Sequence, residues 1–136
     1  MNQTLRVKRQ LGYCQVGVKC AILRAMARII GFINPKGGVG KSMLASNTAV
    51  ELFDLGYAVS FIDAEDGGAT IGSLEKIEPD IRACRARTLE EIDDSVLAAS
   101  RQSDIVIIDT PGQSGDAVTA VCLLADIVIL PIQASG

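Results

Sequence analysis

The stretch Phe32–Ala45, FINPKGGVGKSMLA, holds Gly37, Gly38 and Gly40, two lysines, Lys36 and Lys41, and no acid. Before it, RIIGFIN (28–34) is the continuous apolar run expected of a strand buried on both faces. After it, Leu44, Ala45, Thr48, Ala49 and Leu52 recur at helical spacing, and Gly56 stands where a helix ends in a left-handed residue. Strand, glycine loop and helix in that order are the context a phosphate-binding loop requires. Glycines let the backbone turn its N–H groups inward and come close to phosphate oxygens. The helix start adds the positive end of its dipole. Within GKS (40–42), Lys41 can reach the terminal phosphates as a point charge, and the Ser42 hydroxyl can hold Mg²⁺.

Working outward, AVSFIDAE (58–65) reads as a second buried strand ending in acids, and IRACRA (81–86) as a short third one. TLEEIDDSVLAASRQ (88–102) predicts a helix. Thr88 and Glu91 form a capping box, and Leu89, Ile92, Val96 and Ala99 form its apolar stripe. DIVIIDT (104–110) is a strand, DAVTAVCLLA (116–125) a helix and DIVILPI (126–132) a fifth strand. Alternating strands and helices predict a parallel sheet with right-handed crossovers. The expected class is therefore α/β with a doubly wound, mostly parallel sheet. The fifth strand ends the chain without a covering element, so the sheet is expected to be incomplete at that edge: a fragment, or one completed by a partner.

Composition narrows the chemistry. The 136 residues are 49% hydrophobic and 4% aromatic, with neither Trp nor His. Histidine bases, Ser-His-Asp triads and histidine metal sites are excluded. Cys14, Cys20, Cys84 and Cys122 form no CxxC pair, which argues against zinc; buried free thiols are expected. Residues 1–28 carry six basic and no acidic side chains, whereas 29–136 carry the other seven basic and all sixteen acidic ones. The part that folds is thus acidic and offers no obvious nucleic-acid surface of its own. Residues 1–27 read as an atypical basic extension, too interrupted for a signal-peptide core and too short to span a bilayer. Translation is expected to start at Met26, with a disordered basic tail and a functional arm as the alternatives.

The common phosphate-loop pattern is GxxxxGK[ST]; here Pro35 takes the first glycine's place, followed by Lys36 and two glycines. PKGGVGKS resembles the deviant Walker A motif, KGGxGK[ST], of the ParA/MinD family of P-loop ATPases. The resemblance implies a P-loop NTPase fold of the SIMIBI type, with ATP and Mg²⁺ as cofactors. It makes Lys36 the signature lysine, which contacts the phosphates bound by the other subunit of an ATP-dependent homodimer. A second cation in trans would stabilise charge on the transferring phosphoryl group, as an arginine finger does. Lys36, Gly37, Gly38, Val39, Gly40, Lys41, Ser42 and Met43 are the implied nucleotide-binding residues.

Two acidic motifs extend the resemblance. IIDTPG (107–112) looks like the Walker B strand, with Asp109 placed to hold a Mg²⁺-bound water. FIDAEDGGAT (61–70) resembles the family's DxDPQ motif. Asp63 matches the first aspartate and is assigned to Mg²⁺ or water positioning. The water-activating second aspartate falls on Glu65, one methylene longer, which displaces its carboxylate by about 1 Å and implies slow hydrolysis. Asp66 and Gly67 replace the usual Pro-Gln. Ser42, Asp63 and Asp109 are the implied metal set; Lys36, Lys41, Asp63 and Glu65 the catalytic one.

The order of parts resembles the small ParA partition proteins across residues 26–136, including the closing ADIVILPIQAS; Gln133, Ala134 and Ser135 would touch the base edge. That resemblance implies an ATPase switch in plasmid or chromosome partition, cytoplasmic and nucleoid-associated. It would have non-specific DNA and a ParB-like adaptor as partners and no membrane. The DNA surface would lie mostly beyond residue 136, as would any MinD-like amphipathic membrane helix. Two alternatives stay open: a ligase or amidotransferase of the dethiobiotin-synthetase or cobyrinate-synthase kind, and a non-hydrolysing nucleotide-binding regulator.

Overall fold

The computed structural model describes residues 26–133 apart from Asp66, Gly68, Gln113 and Ser114. Of the basic extension only Met26 and Ala27 fall within it. The elements run β1 (Arg28–Phe32), α1 (Lys41–Asp54), β2 (Val59–Asp63), α2 (Ala69–Ile77), β3 (Arg82–Arg85), α3 (Leu89–Ser100), β4 (Ile105–Asp109), α4 (Asp116–Leu124) and β5 (Ile127–Ile129). All strand pairs are parallel, in the order β3-β2-β4-β1-β5.

Strand alternation divides the core into two layers. On β4, Val106 and Ile108 face one way, where Ile92, Val96 and Ala99 of α3 and Ala117, Ala120 and Val121 of α4 pack. Ile105 and Ile107 face the other way, with Phe32, Phe61, Ala45 and Ala49 of α1 and Leu74 of α2. Helices thus cover both faces, and β2 and β4 are buried along their whole length. That is why β4 reads as an apolar run up to Asp109, and β2 as one interrupted only by Ser60 before Asp63. Gly31 marks a close approach: a Cβ there would sit 2.2 Å from Val121 Cγ1, so α4 packs directly on the β1 backbone.

The helix ends follow local chemistry. In α3, Thr88 Oγ1 accepts from the Glu91 N–H at 3.1 Å and the Glu91 carboxylate accepts from the Thr88 N–H at 3.3 Å, the capping box read from the sequence. At the end of α1, Gly56 takes φ 91°. Its N–H bonds to Phe53 O and that of Tyr57 to Leu52 O, a Schellman arrangement.

Three expectations change. Helix α2 was not among the helices predicted from periodicity. Its Thr70, Ile71 and Gly72 are poor helix formers, and it is held by burying Ile71 and Leu74. Strand β5 is three residues long, not seven; Pro131 cannot donate to a ladder, and Ile127, Val128, Leu130 and Ile132 are exposed. Cys84 and Cys122 are exposed free thiols rather than buried ones, Cys84 on the edge strand β3 and Cys122 on the outer side of α4. Cys14 and Cys20 lie outside the described residues.

Candidate functional site

In the sheet order, β4 is inserted between β1 and β2. From β1 the chain crosses β4 to reach β2; from β4 it crosses β1 to reach β5. The crevice at the carboxyl ends of β1 and β4 is therefore the topological switch point, where open α/β sheets bind ligands. The glycine loop leaves β1 there and Asp109 ends β4 there.

The loop is shaped by its own residues. Asn34, buried, accepts a hydrogen bond from the Lys36 N–H at 2.7 Å through Oδ1 and donates to Pro131 O through Nδ2. Pro35 sits inside this Asx turn, where its preset φ suits the central position. That explains a proline where the common motif has glycine. Asn34 was not singled out from the sequence, although Asn-Pro is a turn signal. Gly38 and Gly40 take φ 76° and 79°, left-handed values open to glycine. A Cβ on Gly112, from the DTPG loop, would come within 3.1 Å of Gly37 Cα, so the two loops touch backbone to backbone.

Helix α1 starts without a cap. Gly40 supplies no side-chain bond and the first turn holds no acid. By contrast, α3 is capped by Thr88 and carries Glu90 and Glu91 in its first turn. The uncapped N–H groups and dipole of α1 favour an anion at the loop.

Beneath the loop lie the charged groups. Lys41, buried, contacts Asp109 Oδ1 at 3.1 Å, with Asp109 fully buried. Asp63 ends β2 exactly one strand away, in register with Asp109. Its Oδ1 accepts from the Glu65 N–H at 3.0 Å. The Ser42 hydroxyl donates to Glu65 Oε2 at 3.0 Å. Burial pushes the carboxyl of Asp109 upward, against the pull of Ser42 and Lys41. Burial likewise raises Asp63; the Glu65 N–H opposes this, and the neighbouring Glu65 charge adds to it. Asp63 Oδ2 and Asp109 Oδ2 are buried with no hydrogen-bond partner among the described residues.

The structure thus brings Lys41, Ser42, Asp63, Glu65 and Asp109 together. Lys36, Gly37 and Gly38 are exposed on the loop, and Val39 is half-buried. Met43 is 68% exposed on the outer side of α1. Gln133 is exposed; Ala134, Ser135 and Asp66 lie outside the described residues. The donor set of hydroxyl and carboxylate oxygens, two of them orphaned, fits a hard divalent cation. No group of three or more His, Cys, Asp or Glu side chains among those described is placed to hold a metal ion by itself. Mg²⁺ does not need one, because it keeps waters and shares phosphate oxygens. Among the described residues, no helix is long and apolar enough to cross a membrane.

Comparison with known proteins agrees with this architecture. Residues 25–91 match the ParA family model described as NUBPL iron-transfer P-loop NTPase. The septum site-determining protein MinD of Guillardia theta is 29% identical over 98 residues, 69% of this chain and 36% of the relative. Cobyrinic acid a,c-diamide synthase of Mycobacterium smegmatis, solved with ADP and magnesium, superposes with a TM-score of 0.66 at 20% identity, over 79% of this chain and 60% of that one. A plasmid partition protein of Borrelia burgdorferi B31 bound to AMPPNP superposes with a TM-score of 0.59 at 17% identity, over 78% and 62%. This chain spans about a third of the length of the MinD relative. Motif, topology and family model converge: the chain has the fold of a P-loop NTPase and is similar to the ParA/MinD family.

Proposed function

We propose that residues 28–136 are the N-terminal part of the nucleotide-binding domain of a Mg-ATP-dependent ATPase that dimerises on ATP and serves as a switch in plasmid or chromosome partition. The observation that carries the nucleotide reading is the pairing of buried Lys41 with Asp109 beneath an uncapped, acid-free helix start. Loop N–H groups would hold the phosphates, and Lys41 would exchange part of its contact with Asp109 for one with a phosphate oxygen. Ser42, Asp63 and Asp109 would hold Mg²⁺, which when bound neutralises charge on the terminal phosphates. Asp63 fixes the backbone of Glu65, and Glu65 would place the attacking water. Lys36, exposed at the loop, is available to a second subunit.

The finer role rests on resemblance to small ParA proteins, supported by the fold shared with the Borrelia partition protein. Non-specific DNA and a ParB-like adaptor are its proposed partners, and the nucleoid its proposed place. Steady-state ATPase measurements, with and without DNA and an adaptor-containing extract, test it. Turnover stimulated by both supports the switch. Turnover stimulated only by a small carboxylic acid would favour a ligase, and nucleotide binding without turnover a regulator.

A second reading, iron transfer, is favoured by the description of the matching family model. It would draw on exposed thiols, but Cys84 and Cys122 stand on separate elements, β3 and α4. Reconstitution with iron and sulfide, followed by visible absorbance, separates the two readings.

A further inference from the structure

The Ser42 hydroxyl has one proton and two lone pairs. Asp109 is a second acceptor close to this hydroxyl, but the hydrogen bond the hydroxyl makes runs to Glu65 Oε2, 3.0 Å away. Once that proton is committed, what the oxygen presents to anything else is lone-pair density, which a cation requires. Glu65 is itself held, because its N–H donates to Asp63 Oδ1 at 3.0 Å. Two neighbouring carboxylate oxygens, Asp63 Oδ2 and Asp109 Oδ2, have no hydrogen-bond partner among the described residues. The contact spans 23 positions in sequence, so it is a tertiary choice and not a local turn.

We propose that Glu65 is a positioning residue for the metal: it accepts the hydrogen bond of the Ser42 hydroxyl and so turns the lone pairs of the Ser42 oxygen toward the cation. Reach is what suits glutamate to this task. Aspartate at the same backbone position is one methylene shorter and falls short of Ser42, whereas glutamine keeps the length and a carbonyl oxygen that accepts the hydrogen bond. Length at position 65, and not charge, therefore governs the metal. This role rests on the Mg-nucleotide reading of the site and is separate from any part Glu65 plays in hydrolysis.

The test is a titration of Mg²⁺ into the full chain with a fluorescent ATP analogue, reading the metal concentration that half-saturates the Mg²⁺-dependent signal. Thermal unfolding of each variant confirms that it is folded. Glu65→Gln is expected to stay within about twofold of the parent, whereas Glu65→Asp and Glu65→Ala need about fivefold more Mg²⁺, the order one ordinary hydrogen bond supports. The reverse ranking, with Asp like the parent and Gln like Ala, would show that charge governs and overturn the inference. So would four equal midpoints. If the parent binds the analogue but Mg²⁺ has no effect, the metal reading of the site falls as well. If the parent responds to Mg²⁺ and the variants rank wrongly, only the positioning role falls.

Discussion

Asp63 and Asp109 are register partners across β2 and β4, two fully buried carboxylates at the same level of the sheet with one lysine, Lys41, between their demands. Lys41 answers Asp109 directly; Asp63 has the Glu65 N–H. A site with this excess of buried negative charge is unfavourable until a cation arrives, and its cost should be measurable in the nucleotide-free protein.

Burial raises Asp63 above its ordinary 3.8. The folded state then holds that proton more tightly than the unfolded chain does. The resulting stabilisation is complete below the unfolded pKa and is lost as pH rises through the raised folded value. Asp63→Asn removes the charge but keeps an oxygen for the Glu65 N–H. Without nucleotide or metal, it is expected to raise Tm at pH 7 by about 4 °C, equivalent to about 1 kcal/mol. The gain should vanish below pH 3.8. Paired melting curves across pH check this; an unchanged Tm at pH 7 would mean that Arg85 and Lys41 already compensate the charge of Asp63.

Lys41→Ala should abolish ATPase activity and lower stability by about 3 kcal/mol at neutral pH, because it leaves Asp109 buried without its cation. The stability loss should shrink in acid, where Asp109 takes up a proton. Denaturant melts at two pH values measure the second effect. Undiminished turnover in the variant would remove the glycine loop from the account.

Lys36 is exposed, and its backbone N–H is tied to Asn34 while the loop itself is formed. Lys36→Ala should therefore leave the fold and nucleotide binding by the monomer largely intact, yet prevent ATP-dependent dimers. Light scattering with a slowly hydrolysed ATP analogue reads this directly. A variant that still dimerises would sink the role in trans.

Gly31→Ala places a Cβ 2.2 Å from Val121 Cγ1 and should cost about 1–3 kcal/mol through overpacking. Shortening the neighbour relieves the clash. The double variant Gly31→Ala, Val121→Ala should be more stable than the sum of the single losses by about 1 kcal/mol. Additive losses in a denaturant double-mutant cycle would show that α4 does not rest on Gly31.

The parts legible in the sequence are those made by neighbours along the chain. The capping box at Thr88 and Glu91 needs three residues, the Schellman end at Gly56 a single turn, and the glycine loop a strand before it and a helix after. Buried strands such as Ile105–Asp109 announce themselves because both faces are covered and the positions before the functional Asp109 are all apolar. Helix α2 did not, since Thr70, Ile71, Gly72 and Ser73 in succession favour helix weakly and its anchors Ile71 and Leu74 act only once buried.

By itself, then, the sequence determined every element type but that of α2, the parallel α/β class and the identity of the loop, because these rest on short-range periodicity and turn chemistry. Tertiary structure decided the rest. It inserted β4 between β1 and β2, which sets Asp109 beside Lys41 and opposite Asp63. It seated Asn34 against Pro131, exposed the two described thiols, and turned Ser42 toward Glu65. Those relations join residues far apart in the chain. Their geometry is fixed by strand order and by burial, neither of which any local run of residues encodes.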